Sequence, residues 1–216
     1  MTAPRTNVEA ILSDNDGVLV DTETLFFETT RRAFARLGLN LDRETWGRRY
    51  LTDGNSSREI ALSMGADASR VLEVVERRNQ EYWSILQDPP PLRPNVRETL
   101  AALRGRFKLA IVTGCGREQL DLVHTSSQLL EMFDLIVTSD DCSCSKPHPE
   151  PYLAALRALG LEAGQCIVIE DSPRGLASAK AAGVPCIIVP TELTATLEFP
   201  GALAIEQDIS KVLNHV

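Results

Sequence analysis

The sequence has few aromatic residues, no long apolar run and no cluster of basic residues. Aromatic side chains make up 5% of the 216 residues, and every apolar run is shorter than the roughly 18 residues of a membrane-spanning helix. Lysine and arginine are scattered through a chain whose formal net charge is -8, which argues against binding to the phosphate backbone of nucleic acid. We therefore expect neither a membrane nor a nucleic acid as a partner.

The cysteines of the chain do not form the pattern that is typical of a disulfide framework. Their number is odd and at least two fall inside apolar runs, which favours free buried thiols over a disulfide framework; the five are Cys115, Cys142, Cys144, Cys166 and Cys186. Residues 1–7 have no apolar core typical of a signal peptide. We expect a cytoplasmic protein, either a monomer or a small homo-oligomer.

Short apolar runs alternate with amphipathic helical patterns over most of the chain. The first run is Val8 to Leu12, and four more occupy residues 108–112, 135–138, 166–169 and 186–189, with helices predicted over 96–103, 149–159 and 173–182. Runs of this length between helices are typical of a parallel sheet covered on both faces. The sequence therefore predicts a doubly wound α/β fold with a Rossmann-like core.

One long segment departs from this alternation. Residues 23–37 have apolar positions at helical spacing, and residues 42–87 remain helical in pattern and rich in charge, with breaks near residues 52–55 and Gly65. A stiff run, Asp88-Pro89-Pro90-Pro91, follows. We interpret residues 18–90 as an inserted all-helical cap, and residues 1–17 and 91–216 as the catalytic core.

Two carboxylates separated by one residue follow the first predicted strand. The sequence there is Asp14-Asn15-Asp16-Gly17. Acids so close together in a partly dry crevice need a cation or a shared proton, and Mg²⁺ provides such a cation. One carboxylate is then suited to attack phosphorus while the other transfers a proton. By itself the pattern is also found in calcium loops and ordinary turns.

Polar residues follow the other predicted strands, and in a doubly wound sheet these positions share one edge. Thr113-Gly114 is suited to anion binding at a helix start, although the pair also fits a routine helix cap. Lys146 fits the cation that a transferring phosphoryl group needs, but a single loop lysine is usually just solvated. Glu170-Asp171 adds carboxylates beside the first strand, although the pair also fits acids that only interact with the dipole at the start of the next helix. A third carboxylate that meets Asp14 and Asp16 at one edge of the sheet indicates a site for a hard cation.

Taken together, these motifs resemble those of the haloacid dehalogenase superfamily of phosphotransferases, in the subgroup with a helical cap. The resemblance covers nearly the whole chain and is carried by Asp14-Asn15-Asp16-Gly17-Val18, Thr113, Lys146-Pro147, and Glu170-Asp171-Ser172 with Gly175 and Gly183. It implies that Asp14 is the nucleophile, that Asp16 is the general acid and base, and that Thr113 and Lys146 anchor phosphate. It also implies Mg²⁺ held by Asp14, Asp16 through its backbone carbonyl, and Asp171, with Glu170 acting directly or through water. Asn15 departs from the apolar residue usual at its position.

Within this superfamily the chain looks like the β-phosphoglucomutase-type enzymes and related sugar-phosphate phosphatases. Gly114 is predicted to bind the substrate, and so are Arg58 and Arg78 of the cap, although both arginines also fit solvated helix charges. In the mutases of this type, the position that corresponds to Phe26 is a histidine. This chain has a phenylalanine there. We therefore predict a Mg²⁺-dependent phosphatase of a sugar or polyol phosphate acting through an aspartyl-phosphate. A sugar phosphate mutase and a non-catalytic regulatory binder on the same scaffold are the alternatives.

Overall fold

A parallel sheet organises the protein, for which a computed structural model describes residues 7–216. Within these residues the sheet has six strands in the order β3-β2-β1-β4-β5-β6. The strands are β1 (Ala10–Ser13), β2 (Lys108–Val112), β3 (Leu135–Val137), β4 (Cys166–Glu170), β5 (Cys186–Ile188) and β6 (Ala204–Ile205). The order reverses between β1 and β4, which is where doubly wound folds place their ligands. The predicted doubly wound fold is confirmed.

The helices fall into two groups along the chain. Between β1 and β2 lie α1 (Thr22–Arg36), α2 (Arg43–Trp46), a π-helical segment (Gly47–Thr52), α3 (Ser57–Ser63), α4 (Ala68–Leu86) and α5 (Val96–Leu103). The later helices are α6 (Arg117–His124), α7 (Glu150–Leu159) and α8 (Pro173–Ala181). Short 3₁₀ turns occupy Leu129–Met132, Ser139–Asp141, Ala163–Gln165 and Ile209–Asn214. In the described part of the chain, no helix is both long and apolar enough to cross a membrane.

Side-chain alternation along the strands gives the sheet an apolar core on each face. Leu12, Ala110 and Val168 belong to one buried cluster, whereas Ile11, Ile111 and Ile167 belong to the other. Because successive residues of a strand point to opposite faces, a sheet buried on both sides has nearly continuous apolar strands. This is the reason that the first five strands were recognisable as apolar runs in the sequence.

The helices between α1 and α4 have an apolar core of their own. It includes Phe27, Phe34, Trp46 and Ile60, and it also receives Leu193 from the loop after β5. The chain enters this helical segment through Val18 and Leu19, which pack in a cluster of the sheet. The predicted cap boundaries at residues 18 and 90 stay a prediction, but the packing assigns Val18 and Leu19 to the sheet side.

Candidate active site

The loop after β1 brings two carboxylates to the carboxyl edge of the sheet. The amide of Asp14 donates to the carbonyl of Ile169 on β4 at 2.9 Å, so the ladder continues to the first acidic residue. Gly17 then takes a φ of +84°, a conformation that favours glycine. A methyl group at this position would also overlap the carboxylate of Asp171. The turn at Gly17 therefore lets the first and fourth motifs approach each other.

Lys146 links the carboxyl ends of three neighbouring strands. Its Nζ donates to Oδ1 of Asp14 at 2.8 Å, to Oε1 of Glu170 at 2.6 Å and to the carbonyl of Val112 at 2.8 Å. Burial opposes its charge, but the two carboxylates outweigh burial and raise the pKa of Lys146. The hydroxyl of Tyr152 donates to the same Glu170 oxygen at 2.7 Å. The lysine is therefore charged and held beside Asp14.

Asp16 points toward the end of β2 rather than toward Lys146. One of its carboxylate oxygens accepts a hydrogen bond from the hydroxyl of Thr22, and the other accepts from Thr113 Oγ1 at 3.2 Å. Thr113 Oγ1 also accepts from the amide of Cys115 at 3.2 Å. Asp16 is thus held at a strand end different from the one that holds Asp14. The two carboxylates occupy different surroundings, as a nucleophile and a proton donor require.

Three carboxyl groups at this edge fit a hard divalent cation. Ligand oxygens of Asp14, Glu170 and Asp171 lie within 4.8 Å of one another. Oδ2 of Asp171 is buried and has no hydrogen-bond partner among the described residues. Burial, reinforced by the neighbouring carboxylates, raises the pKa of Asp171 well above its ordinary value, and burial likewise raises the pKa of Asp14 despite Lys146. Oxygen donors are the ligands that Mg²⁺ prefers, and the repulsion that remains among these carboxylates beyond the charge of Lys146 favours a bound cation.

Glu170 differs from the other two acids because its oxygens are already in use. Besides Lys146 and Tyr152, it accepts from the amide of Asp171 at 3.2 Å and lies 3.4 Å from the hydroxyl of Ser172. Its side chain is fully buried. This arrangement favours a role for Glu170 in orienting Lys146, whereas Asp171 keeps a buried oxygen without a hydrogen-bond partner among the described residues.

A pocket of about 400 Å³ opens between these loops and the helical segment. Gly114 and Cys115 line it beside the strand ends, and Glu23 and Tyr50 line it from the helical side. Arg174, from α8, also reaches the pocket, with its guanidinium 4.7 Å from the centre of the Tyr50 ring. Glu23 accepts from Trp46 Nε1 at 3.0 Å, and burial raises its pKa to about 7.

Sequence reasoning missed Glu23, Tyr50 and Arg174 as pocket residues. Arg174 comes two residues after Ser172 of the fourth motif, so its position was a usable signal. Tyr50 lies in the π-helical segment, whose pattern does not show which side chains face the strand ends.

The structure does not bring the two arginines predicted to bind substrate into this pocket. Arg58 is exposed, and neither arginine is among the described residues that line the pocket. Arg78 is 3% exposed, and its guanidinium donates to Thr30 Oγ1 at 2.7 Å and to Ser57 Oγ at 2.8 Å. It therefore joins α1, α3 and α4 inside the helical segment and is not a solvated charge. Substrate binding by either arginine stays a prediction.

Asn15, the residue between the two catalytic candidates, has a buried partner in α6. Its Oδ1 lies 2.7 Å from Nε2 of His124, whose Nδ1 lies 3.0 Å from Ser127 Oγ. Burial lowers the pKa of His124 to about 4, so the imidazole is neutral. Asn15 Nδ2 has no partner among the described residues. The departure from an apolar residue at position 15 is thus matched by a histidine in the facing helix.

Comparison with known proteins agrees with this geometry. The model of the haloacid dehalogenase-like hydrolase family matches residues 11–189. The chain therefore belongs to this family, as its motifs predicted. Relatives are named as phosphatases, and the prediction of an enzyme that hydrolyses phosphoric monoesters is confirmed.

Related proteins match over most of their length. Protein CbbY of Cupriavidus necator is 31% identical, covering 92% of this chain and 84% of that protein. Hexitol phosphatase B of Escherichia coli is 32% identical, covering 88% and 86%. The crystal structure of a CbbY variant from Rhodobacter sphaeroides in complex with xylulose-1,5-bisphosphate is 27% identical, with a TM-score of 0.78 and coverage of 94% and 96%.

Proposed function

We propose that this protein is a Mg²⁺-dependent phosphatase that hydrolyses a small sugar or polyol phosphate through an aspartyl-phosphate on Asp14. The observation that carries the proposal is the contact between Asp14 and Lys146 at 2.8 Å, next to the unpartnered carboxylate oxygen of Asp171. A nucleophile, a phosphate-binding cation and a metal ligand then converge in one pocket. A protein that only binds a ligand has no need of Asp14 together with Asp16.

The chain's own residues account for the steps of the reaction. Asp14 attacks phosphorus, the bond to the substrate oxygen breaks, and Asp16 gives that oxygen a proton. Asp16 then takes a proton from water, which attacks the phosphorus, and phosphate leaves Asp14. Thr113, Gly114 and Lys146 hold the phosphoryl oxygens during both steps. When bound at Asp14, Asp171 and the Asp16 carbonyl, Mg²⁺ supplies positive charge that offsets repulsion between carboxylates and phosphate.

The pocket supports a small hydroxylated substrate. A volume of about 400 Å³ is small, within the range typical of metabolite sites. Beyond the strand ends its wall offers hydrogen-bonding groups, including those of Asn55, Ser56 and Gln119. The names of the relatives, a hexitol phosphatase and a CbbY bound to a sugar bisphosphate, agree with this class.

A screen of phosphate monoesters, with Mg²⁺ and with EDTA, tests the proposal. We expect phosphate release from hexose, pentose or hexitol phosphates only when Mg²⁺ is present. Asp171→Asn should bind Mg²⁺ more weakly and lose most activity, because it removes a charge from the ligand set. Full activity in EDTA, or an unchanged Mg²⁺ requirement in Asp171→Asn, would contradict the proposed metal site.

The side chain at position 26 separates a phosphatase from a mutase. Phe26 lines the pocket and packs against Tyr82, with ring centres 5.1 Å apart, and the guanidinium of Arg78 lies 4.2 Å above its ring. A phenyl ring cannot hydrogen-bond Asp16, so it provides no restraint on attack by water. We expect β-glucose 1-phosphate, supplied with catalytic sugar bisphosphate, to yield free phosphate. Isomerisation to glucose 6-phosphate that outpaces phosphate release would identify a mutase.

A further inference from the structure

A second group of side chains with possible metal-ligand atoms lies on the loop that carries Lys146 and on the first residue of α7. Cys144, His148 and Glu150 each offer a ligand atom, and these atoms all lie within 4.8 Å of one another. None of the three is among the described residues that line the active-site pocket. The group combines a thiol, an imidazole and a carboxylate, so it differs in chemistry from the all-oxygen set at the strand ends.

Local hydrogen bonds tie the Glu150 carboxylate and the His148 imidazole to the backbone of this segment. The carboxylate of Glu150 accepts from the amide of Ser143 at 3.0 Å and from the amide of Cys144 at 2.8 Å. The amide of Glu150 in turn donates to Nδ1 of His148 at 3.2 Å. The loop is therefore folded around the Glu150 carboxylate, and ligand atoms of the cysteine and the histidine lie within 4.8 Å of it. Both are exposed, so an ion in solution can reach them.

The three ligand types together favour a divalent cation that binds sulfur and nitrogen. The Cys144 thiol stands on a residue whose amide donates to the Glu150 carboxylate at 2.8 Å. A divalent ion that binds sulfur displaces the thiol proton and forms a thiolate beside this carboxylate. Sulfur and imidazole nitrogen select zinc-like ions, whereas Mg²⁺ prefers oxygen ligands.

We propose that Cys144, His148 and Glu150 form a second metal site, which binds Zn²⁺ or Cd²⁺ in preference to Mg²⁺. Ligand atoms around a tetrahedral zinc ion lie about 3.3 to 3.8 Å apart, so the atoms within 4.8 Å need only a small contraction. Three protein ligands leave a fourth position for water. Lys146 lies between the ligands Cys144 and His148 in the sequence. The bound ion therefore also stabilises the turn from which this lysine enters the active site.

Titration of the full-length protein with Cd²⁺ tests the site independently of activity. Cadmium bound to a thiolate gives a charge-transfer band in the ultraviolet, and excess Mg²⁺ keeps Cd²⁺ away from the carboxylates at the strand ends. We expect the band to saturate at one equivalent in the wild-type protein and to be lost in Cys144→Ser. His148→Gln should weaken binding and shift the titration to higher Cd²⁺ concentration.

Two other cysteines provide matched controls. Cys142→Ser is expected to keep the band because Cys142 packs against the sheet core, and Cys115→Ser is expected to keep it because Cys115 lies in the active-site pocket. Circular dichroism of Cys144→Ser should match the wild type, since the side chain is exposed. A wild-type protein without the band, a band that persists in Cys144→Ser, or its loss in Cys115→Ser would overturn the proposal.

Discussion

Ionisation of Glu23, in the pocket wall, is expected to lower the stability of the folded protein. Glu23 is 7% exposed. Burial raises its pKa from 4.5 to about 7, although Arg174 and the Trp46 hydrogen bond favour the charged form. Glu23→Gln removes the titration and keeps an acceptor oxygen for Trp46 Nε1. The variant should therefore be more stable than the wild type at alkaline pH.

The direction and size of this change in stability follow from the pKa of Glu23 in the unfolded chain and its pKa in the folded chain. Because the folded pKa is the higher one, the folded chain holds the proton more tightly than the unfolded chain. The stability that this supplies is fully present below about pH 4.5 and is lost as the pH rises through about 7. Each pKa unit is worth about 1.4 kcal/mol, so the loss amounts to about 3 kcal/mol at most.

Urea unfolding at several pH values between 5 and 8, in EDTA, measures this effect. The free energy of unfolding of Glu23→Gln minus that of the wild type should rise with pH by up to about 3 kcal/mol. Glu73→Gln is the matched control for loss of a carboxylate, because Glu73 is an exposed residue of α4. A difference for Glu23→Gln that stays constant would refute the reasoning.

Two further substitutions test the packing behind the site. A methyl group at Gly175 would overlap the carboxyl group of Glu170, so Gly175→Ala should lower kcat by at least about tenfold. The control Gly164→Ala should keep wild-type activity, because a methyl group there has nothing within 4 Å. Equal activities of the two variants would contradict the contact between Gly175 and Glu170. Asn15→Leu leaves buried His124 without its partner and should cost about 1–3 kcal/mol, and the double variant with His124→Leu should be less destabilised than the sum of the single variants in urea unfolding. Additive effects would show that the pair is not coupled.

The fold was largely readable from the sequence because its determinants are local. Strand β2 and helix α5 have the predicted bounds, and other predicted elements differ by one or two residues at their ends. Strand β6 was missed, since Ala204–Ile205 is a two-residue edge strand and Ile205 is 58% exposed. An apolar run of four residues, 202–205, does cover this strand, but it follows no predicted helix, and pairing with β5 is what defines the strand.

The strand-end residues of the site were predictable for a different reason. Parallel strands present their carboxyl ends at one edge, so Asp14, Thr113 and Asp171 had to lie close together once the sheet was recognised. The helical side of the pocket was not predictable in this way. Arg78 is buried because Thr30 and Ser57, distant in sequence, both accept its hydrogen bonds. Only the packing of three helices decides that this arginine faces inward.

In the proposed mechanism, Asp14 carries the phosphoryl group during turnover. Rapid acid quenching during turnover of a substrate that the protein hydrolyses, followed by peptide mass spectrometry, tests directly whether Asp14 is phosphorylated. We expect a hydroxylamine-sensitive phosphoryl group on the peptide that contains Asp14, and Asp14→Asn should lack it while losing at least roughly 10³-fold in kcat. Phosphate release without such a label, together with near wild-type turnover by Asp14→Asn, would show that water attacks the substrate directly.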